Sequence, residues 1–171
     1  MSQVGRPLQS TAWATVAALS MLAACGGKPK APPPPPAAVE LPPASVAAAL
    51  YAAPTLNPDA RQRPSPLVIR VYELSGKAQF DSADFVSLYE RDKQALGPTL
   101  VSQEEFVLRP DELRSWNKKL APETKFVGVV AAYREIEKAA WRTAYAIQPN
   151  APNNLTIRFD TLAVTITPSP R

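Results

Sequence analysis

The sequence of 171 residues contains no histidine, a single cysteine and only six glycines. Histidine is the commonest general base and metal ligand, so its absence disfavours most enzyme classes, although Asp, Glu and Lys could still act. A single cysteine excludes an intrachain disulfide. The sequence also lacks a Gly-x-Ser-x-Gly motif, a glycine-rich phosphate loop and a cluster of metal-ligand residues. We therefore expect no catalytic site, no metal site and no cofactor.

The charges are not of one sign. The 19 basic and 15 acidic residues leave a net charge of +4, and they alternate along the chain at 90–93 and 134–138. This alternation is typical of a solvated surface, whereas a nucleic-acid-binding protein would show a basic patch. Glu104 and Glu105 are adjacent on a predicted strand, so they point to opposite faces and do not form a carboxylate dyad.

No apolar run reaches the roughly 20 residues that a membrane-spanning helix needs. Residues 11–24 are apolar apart from Thr and Ser, have the length of a signal-peptide core and follow the basic Arg6. The run ends in Leu22-Ala23-Ala24-Cys25, which resembles the lipobox of bacterial lipoproteins. That resemblance implies a signal peptide over 1–24, cleavage before Cys25 and a covalent lipid on the Cys25 thiolate.

Two other interpretations of Cys25 stay open. An ordinary signal peptide could be cleaved after Ala24, although Leu22 is large for the −3 position. Cys25 could also be a buried free thiol, although the proline-rich run that follows could not cover an apolar helix. Lipidation accounts for the only cysteine. In lipoproteins as a class, Gly rather than Asp after the cysteine is compatible with the outer membrane, which is the location we expect.

Residues 25–45 are rich in proline and include five consecutive prolines at 32–36. Such a run favours polyproline II and excludes helix and strand pairing. We interpret 25–45 as the lipidated cysteine followed by a stiff tether. The alternative is a recognition motif for a proline-binding module.

The remaining residues, 46–168, predict one mainly β domain. Apolar and polar residues alternate over several short segments, whereas 125–134 is apolar on both sides and is predicted to be a central strand. The closely spaced last strands favour antiparallel pairing in two sheets, with helices between early strands. The predicted strands are residues 46–51, 66–74, 100–108, 125–134, 141–148, 155–160 and 162–167.

Local signals predict the remaining elements. Asp81 or Ser82 is expected to cap a helix that ends at Gly97-Pro98. Pro110, followed by two acidic residues, predicts a short helix with Leu113 and Trp116 on one face. Asn153-Asn154 is predicted to form a turn, and the prolines between 55 and 66 predict a loop.

The domain resembles the type VI secretion system lipoprotein family, TssJ. The resemblance is carried by Leu56-Asn57-Pro58-Asp59, by Arg63-Pro64-Ser65-Pro66 with the strand that follows, by Phe80 and Asp84-Phe85, by residues 129–134 and by Trp141-Arg142. It implies a transthyretin-like two-sheet β-sandwich with inserted helices and without catalysis, held at the periplasmic face of the outer membrane. It also implies a partner, the periplasmic C-terminal region of the inner-membrane IcmF-like component, TssM.

In this family the loop between the first two strands contacts that partner. The matching positions here are Asn57, Pro58, Asp59, Ala60, Arg61, Gln62, Arg63, Pro64, Ser65 and Pro66. Prolines would limit the entropy lost on docking, and Arg61 and Arg63 could bind acidic groups. The alternative is an exposed loop with solvated charges. Tyr133 and Trp141 are expected to belong to the core.

An alternative function is a periplasmic module that binds a small ligand or a cell-wall glycan. Such a module needs a pocket with converging polar groups. The sequence shows no cluster of aromatic and acidic residues at close spacing, so the scaffold function is favoured.

Overall fold

The computed structural model describes residues 42–169, so the predicted signal peptide, Cys25 and the tether up to residue 41 lie outside it. The described chain forms eight strands and three short helices, with a 3-10 turn at Gly97–Thr99. The strands are β1 (Ser45–Ala52), β2 (Leu67–Leu74), β3 (Leu100–Leu108), β4 (Leu113–Lys119), β5 (Phe126–Ala131), β6 (Arg142–Ala146), β7 (Pro152–Phe159) and β8 (Val164–Pro168). The helices are α1 (Ala78–Ser82), α2 (Phe85–Glu90) and α3 (Asp92–Leu96).

The strands form two four-stranded sheets, in the orders β4-β1-β7-β8 and β3-β2-β5-β6. The main core lies between them, where inward residues such as Leu50, Ile69, Val129 and Ile157 are almost completely buried. The predicted fold class, a mainly β two-sheet sandwich with inserted helices, is confirmed. The pairing is antiparallel except between β1 and β7, which run parallel.

Strand β1 contains four alanines, which have a low strand propensity. It is nevertheless an inner strand, paired on one side with β4 and on the other with β7. Val46, Ala48 and Leu50 alternate inward and are buried. Burial and pairing therefore override local propensity, and the strand predicted at 46–51 is confirmed.

The helices lie between β2 and β3 and cover a second cluster on the outer face of their sheet. Phe80, Leu88 and Leu96 are fully buried there. The predicted helix cap at Asp81 or Ser82 is wrong, because both residues lie inside α1. The cap is Asp84, whose side chain accepts a hydrogen bond from the Ser87 backbone N–H at 2.9 Å. The helical interval ends at Gly97 as predicted, with a positive φ of 52°.

The helix predicted after Pro110 is wrong, because residues 113–119 form strand β4. Asp111 has a φ of 62°, and the Glu112 N–H donates to the Arg109 carbonyl at 3.1 Å, so this segment is a tight turn between the sheets. The strand pattern buries Trp116 and exposes Leu113, which therefore lie on opposite faces. All of β4 pairs with β1, and this pairing stabilises the strand against the local helix signal.

The turn predicted at Asn153-Asn154 is also wrong, since both residues lie within β7. The turn comes earlier, around Asn150, which has a φ of 56°. Asn153 is 5% exposed, and its side chain bonds the backbone of Ser45, Gln148 and Ala151. These bonds hold together the connection from β6 in one sheet to β7 in the other.

Within residues 42–169 the longest helix has six residues, and no helix there has the length and apolarity needed to cross a membrane.

Candidate functional site

The predicted binding loop lies at the end of the sandwich opposite to the point where the chain enters the domain. The chain enters β1 at Ser45, and β1 then runs the length of the sheet to Ala52. Eight strand residues span about 26 Å. The loop that follows, up to the start of β2 at Leu67, therefore lies at the far end. The β3–β4, β5–β6 and β7–β8 connections lie at that same end.

Asn57 fixes the base of the loop. It is 3% exposed and has a φ of 46°, in the left-handed region that Asn tolerates better than most residues. Its Nδ2 donates to the Pro66 carbonyl at 2.8 Å, which ties the two ends of the loop together. Its Oδ1 accepts from the Arg134 backbone N–H at 2.9 Å, and its own N–H donates to the Thr161 carbonyl at 3.1 Å. Asn57 is thus an internal support rather than a solvent-facing contact.

Asp59 organises the tip of the loop. Its Oδ1 accepts from the backbone N–H groups of Arg61 and Arg63, at 2.8 and 3.0 Å. Its Oδ2 lies 2.8 Å from Nε and 2.7 Å from Nη2 of Arg63, so both guanidinium nitrogens bind the same carboxylate oxygen. The hydrogen bonds from the Arg63 side chain and backbone hold the pKa of Asp59 at about 2. Asp59 is therefore ionised, and its carboxylate is already bonded to other groups of the loop.

The predicted loop residues divide into two groups by exposure. Asn57, Pro58 and Ser65 are buried, and Asp59 is partly buried. The exposed residues are Ala60, Arg61, Gln62, Arg63, Pro64 and Pro66. Gln62 has a φ of 62°, which turns the chain at the tip. Arg61 forms no ion pair with any residue in the described range, so its guanidinium is available to a partner.

A second loop, residues 132–141 between β5 and β6, lies against the base of the first. Tyr133, 3% exposed, donates its hydroxyl proton to the Ala163 carbonyl at 2.7 Å, with the Asp160 carbonyl at 3.2 Å. Burial raises the pKa of Tyr133, so it remains a donor at neutral pH. The predicted core position of Tyr133 is confirmed. Trp141 is half-buried, and its ring lies 5.3 Å from the Phe85 ring, centroid to centroid.

The structure contains a buried charged cluster that the sequence pattern did not indicate as a unit. Glu73, 3% exposed, accepts hydrogen bonds from Lys118 (2.8 Å), Ser102 (2.6 Å), Thr124 (2.7 Å) and the Ala121 N–H (3.1 Å). Burial alone would raise the pKa of Glu73, but these bonds outweigh it and lower the pKa to about 2. The sequence contained one signal for this cluster, because Glu73 is an acidic residue at an inward position of a strongly apolar strand.

Lys118 connects this cluster across the two sheets. Its ammonium group also lies 2.7 Å from Glu104, which accepts from the Trp116 indole N–H at 3.1 Å. Glu105 points to the other face and pairs with Arg70 at 2.7 Å, so the two adjacent glutamates are not a dyad. The carboxylates of Glu73 and Glu104 are both engaged in hydrogen bonds and ion pairs within the domain. In residues 42–169 no group of three or more Asp, Glu, Cys or His side chains is placed to hold a metal ion.

Comparisons with known proteins show which family and which solved structures this chain resembles. Residues 44–162 match the family described as "Type VI secretion lipoprotein, VasD, EvfM, TssJ, VC_A0113". The chain is similar to the crystal structure of the T6SS lipoprotein TssJ1 from Pseudomonas aeruginosa, with 38% identity and a TM-score of 0.74. That match covers 76% of this chain and 99% of the other. A search of curated protein sequences gives no match.

Two further structures share the fold. One is a chain of a structure described as "Type VI membrane complex", with 26% identity, a TM-score of 0.64 and coverage of 72% of this chain and 98% of the other. The second belongs to a structure described as "T6SS protein TssM C-terminal domain (869-1107) from EAEC". It has 25% identity and a TM-score of 0.61, and the match covers 73% of this chain and 98% of that one.

Proposed function

We propose that this chain, which belongs to the type VI secretion lipoprotein family, TssJ, is a non-catalytic scaffold of the trans-envelope secretion complex. A lipid on Cys25 anchors it to the periplasmic face of the outer membrane. Its loop 57–66 binds the periplasmic C-terminal region of the inner-membrane IcmF-like component, TssM. The chain requires no cofactor apart from the covalent lipid.

The observation that carries this proposal is the position of the loop. The segment from Cys25 reaches the sandwich at Ser45, and loop 57–66 lies at the other end of β1. A scaffold that connects two membranes needs its attachment point and its partner-binding surface to face in opposite directions. Strand β1 separates the attachment point at Ser45 from the binding loop by about 26 Å.

The structure of the loop also supports partner binding. Asn57 and Asp59 hold the loop in one conformation, so little conformational entropy would be lost on docking. The Arg61 side chain is exposed at the tip. Similarity to chains of structures described as a type VI membrane complex and a TssM C-terminal domain is consistent with a TssM partner.

Anchoring is tested by fractionating membranes from cells that express the full chain or its Cys25→Ser variant. We expect the native protein in the outer-membrane fraction and the variant outside it, in the periplasm or with the IcmF-like partner in the inner-membrane fraction. Retention of Cys25→Ser in the outer-membrane fraction would refute lipid anchoring.

The loop is tested with Arg61→Glu, because this side chain forms no ion pair in residues 42–169 and its reversal should leave the fold intact. Lys119→Glu is the matched control, an exposed charge reversal on β4 at the other end of the sandwich. We expect Arg61→Glu to weaken binding of the TssM fragment, and Lys119→Glu to leave it unchanged. Unchanged binding after replacement of the whole loop 57–66 would exclude the loop as the contact.

A further inference from the structure

We infer that the docking surface extends beyond loop 57–66 to the β5–β6 loop, residues 132–141, and that it binds an acidic segment of the partner through Arg61 and Arg134. This inference rests on the proposed function, since it names the chemistry of the same interaction. It adds a second loop, and it gives Arg134 a partner-binding role that the family resemblance assigns only to loop 57–66.

The two loops form one platform because Asn57 joins them. The Arg134 backbone N–H donates to Asn57 Oδ1 at 2.9 Å across 77 positions of sequence. Tyr133, which directly precedes Arg134, is buried, and its hydroxyl group donates to the Ala163 carbonyl in the β7–β8 connection. Arg134 therefore projects from a fixed backbone position beside the base of loop 57–66, and a partner that reaches one loop meets the other.

Most carboxylates of this platform are already paired. Asp59 forms an ion pair with Arg63, and the Glu135 carboxylate lies 2.7 Å from the Lys138 ammonium group. The exposed guanidinium groups of Arg61 and Arg134, in contrast, have no ion-pair partner among residues 42–169. Glu137 is the one carboxylate of the two loops without an ion pair in that range. The charges left available to a partner are therefore mainly positive and consist of guanidinium groups, which bind carboxylates in bidentate geometry.

The shape of the second loop suits a peptide segment. Arg134 to Lys138 line an open depression of about 370 Å³, in which the half-buried Ile136 supplies an apolar contact. An interface residue contributes most when apolar contacts around it exclude water. An acidic side chain of the partner could thus pair with Arg134 while its neighbours pack on Ile136.

The experiment uses the full-length lipoprotein, purified from membranes in detergent, and the periplasmic C-terminal fragment of the IcmF-like component as probe. Binding is measured by biolayer interferometry for the native protein, Arg134→Glu, Arg134→Lys and Lys138→Ala. Lys138→Ala is the matched control, since Lys138 lies on the same loop but its charge is already paired with Glu135. Thermal unfolding of each variant verifies the fold.

We expect Arg134→Glu to raise Kd by about tenfold or more, the effect of losing a central charged contact. Arg134→Lys keeps the charge but loses the planar fork, so its Kd should be intermediate, and Lys138→Ala should stay within about twofold. The native Kd should rise with salt concentration.

The outcomes distinguish the proposed function from its extension to residues 132–141. If Arg61→Glu weakens binding while Arg134→Glu stays within about twofold of the native Kd, the proposed function stands and the extension to residues 132–141 is refuted. If Arg134→Glu binds more tightly than the native protein, the acidic character of the partner segment is refuted. If the native protein shows no binding at all, the proposed function fails and this inference fails with it.

Discussion

The Lys118 ammonium group lies 2.8 Å from the Glu73 carboxylate, between two sheets whose facing surfaces are otherwise largely apolar. Lys118 belongs to β4 and Glu73 to β2, so the pair connects one sheet to the other. A buried carboxylate is tolerated only when its charge and its lone pairs are satisfied. Here two hydroxyl groups and one backbone N–H complete the set of partners.

Removing Lys118 should therefore destabilise the fold strongly. Lys118→Met keeps most of the side-chain volume but leaves Glu73 charged, buried and without a counter-ion, which costs about 3–5 kcal/mol in comparable cases. Lys119→Met is the matched control, since Lys119 is the next residue on β4 and is exposed. It should change the free energy of unfolding by less than about 0.5 kcal/mol. Urea denaturation followed by circular dichroism measures both, and equal stability of the two variants would contradict this account.

Glu73 also predicts a dependence of stability on pH. Its pKa is about 2 in the folded protein, against 4.5 for the free side chain. Because the folded pKa is the lower one, the stabilisation is complete above pH 4.5 and is lost as the pH falls towards 2. The size of the shift corresponds to roughly 3 kcal/mol.

This contribution can be isolated with Glu73→Gln, which cannot ionise. The free energy of unfolding of the native protein should fall more steeply between pH 5 and 2, by about 3 kcal/mol, than that of the variant. Parallel curves for the two proteins would show that Glu73 does not titrate as described. Asp59 remains in both proteins, so its own low pKa cancels in the comparison.

The sequence predicted most of the sandwich because burial on one face of a strand leaves a period-two pattern. Leu67, Ile69 and Val71 show it clearly, and β2 was located to within one residue. The prediction failed after Pro110, where a local helix signal competed with the pairing of β4 with β1. Such pairing joins residues far apart in the chain, and no local pattern reports it.

The same limit applies to the candidate site. Loop 57–66 was located because its prolines punctuate the chain and because it resembles a family. The role of Asn57 as a clamp could not be predicted, since its Oδ1 partner is 77 positions away. The charged cluster was missed for a similar reason, because Lys118 reaches Glu73 only through the pairing of β4 with β1, which no local pattern indicates.

Gly128 on β5 should not tolerate a side chain. A Cβ added there would lie 3.0 Å from two ring carbons of Phe80 and 3.1 Å from Leu74 Cδ1. Both neighbours are fully buried and cannot move away freely. We expect Gly128→Ala to lower the free energy of unfolding by about 1–3 kcal/mol through overpacking.

Gly76→Ala is the control for that substitution, because the added Cβ would make only an ordinary contact with Thr99 Cγ2, at 3.7 Å. It should be nearly neutral in thermal unfolding. Phe80→Leu combined with Gly128→Ala should cost less than the sum of the two single changes, since a smaller side chain relieves the overlap. Strict additivity would argue against contact with Phe80 as the cause.

Asn57 offers the most direct test of how the binding loop is held. Asn57→Ala removes the bonds to the Pro66 carbonyl and the Arg134 N–H and places a less tolerant residue at a positive φ. We expect a loss of roughly 2–4 kcal/mol in the free energy of unfolding, together with faster hydrogen exchange at the Arg134 amide. Asn57→Gly loses the same bonds but accepts the backbone conformation, so it should be about 1 kcal/mol more stable than the alanine variant. Asn117→Ala, an exposed asparagine on β4, is the control and should be neutral. Slow exchange at Arg134 in Asn57→Ala would mean that the two loops are held together by other contacts, and the rigid two-loop platform would then not depend on Asn57.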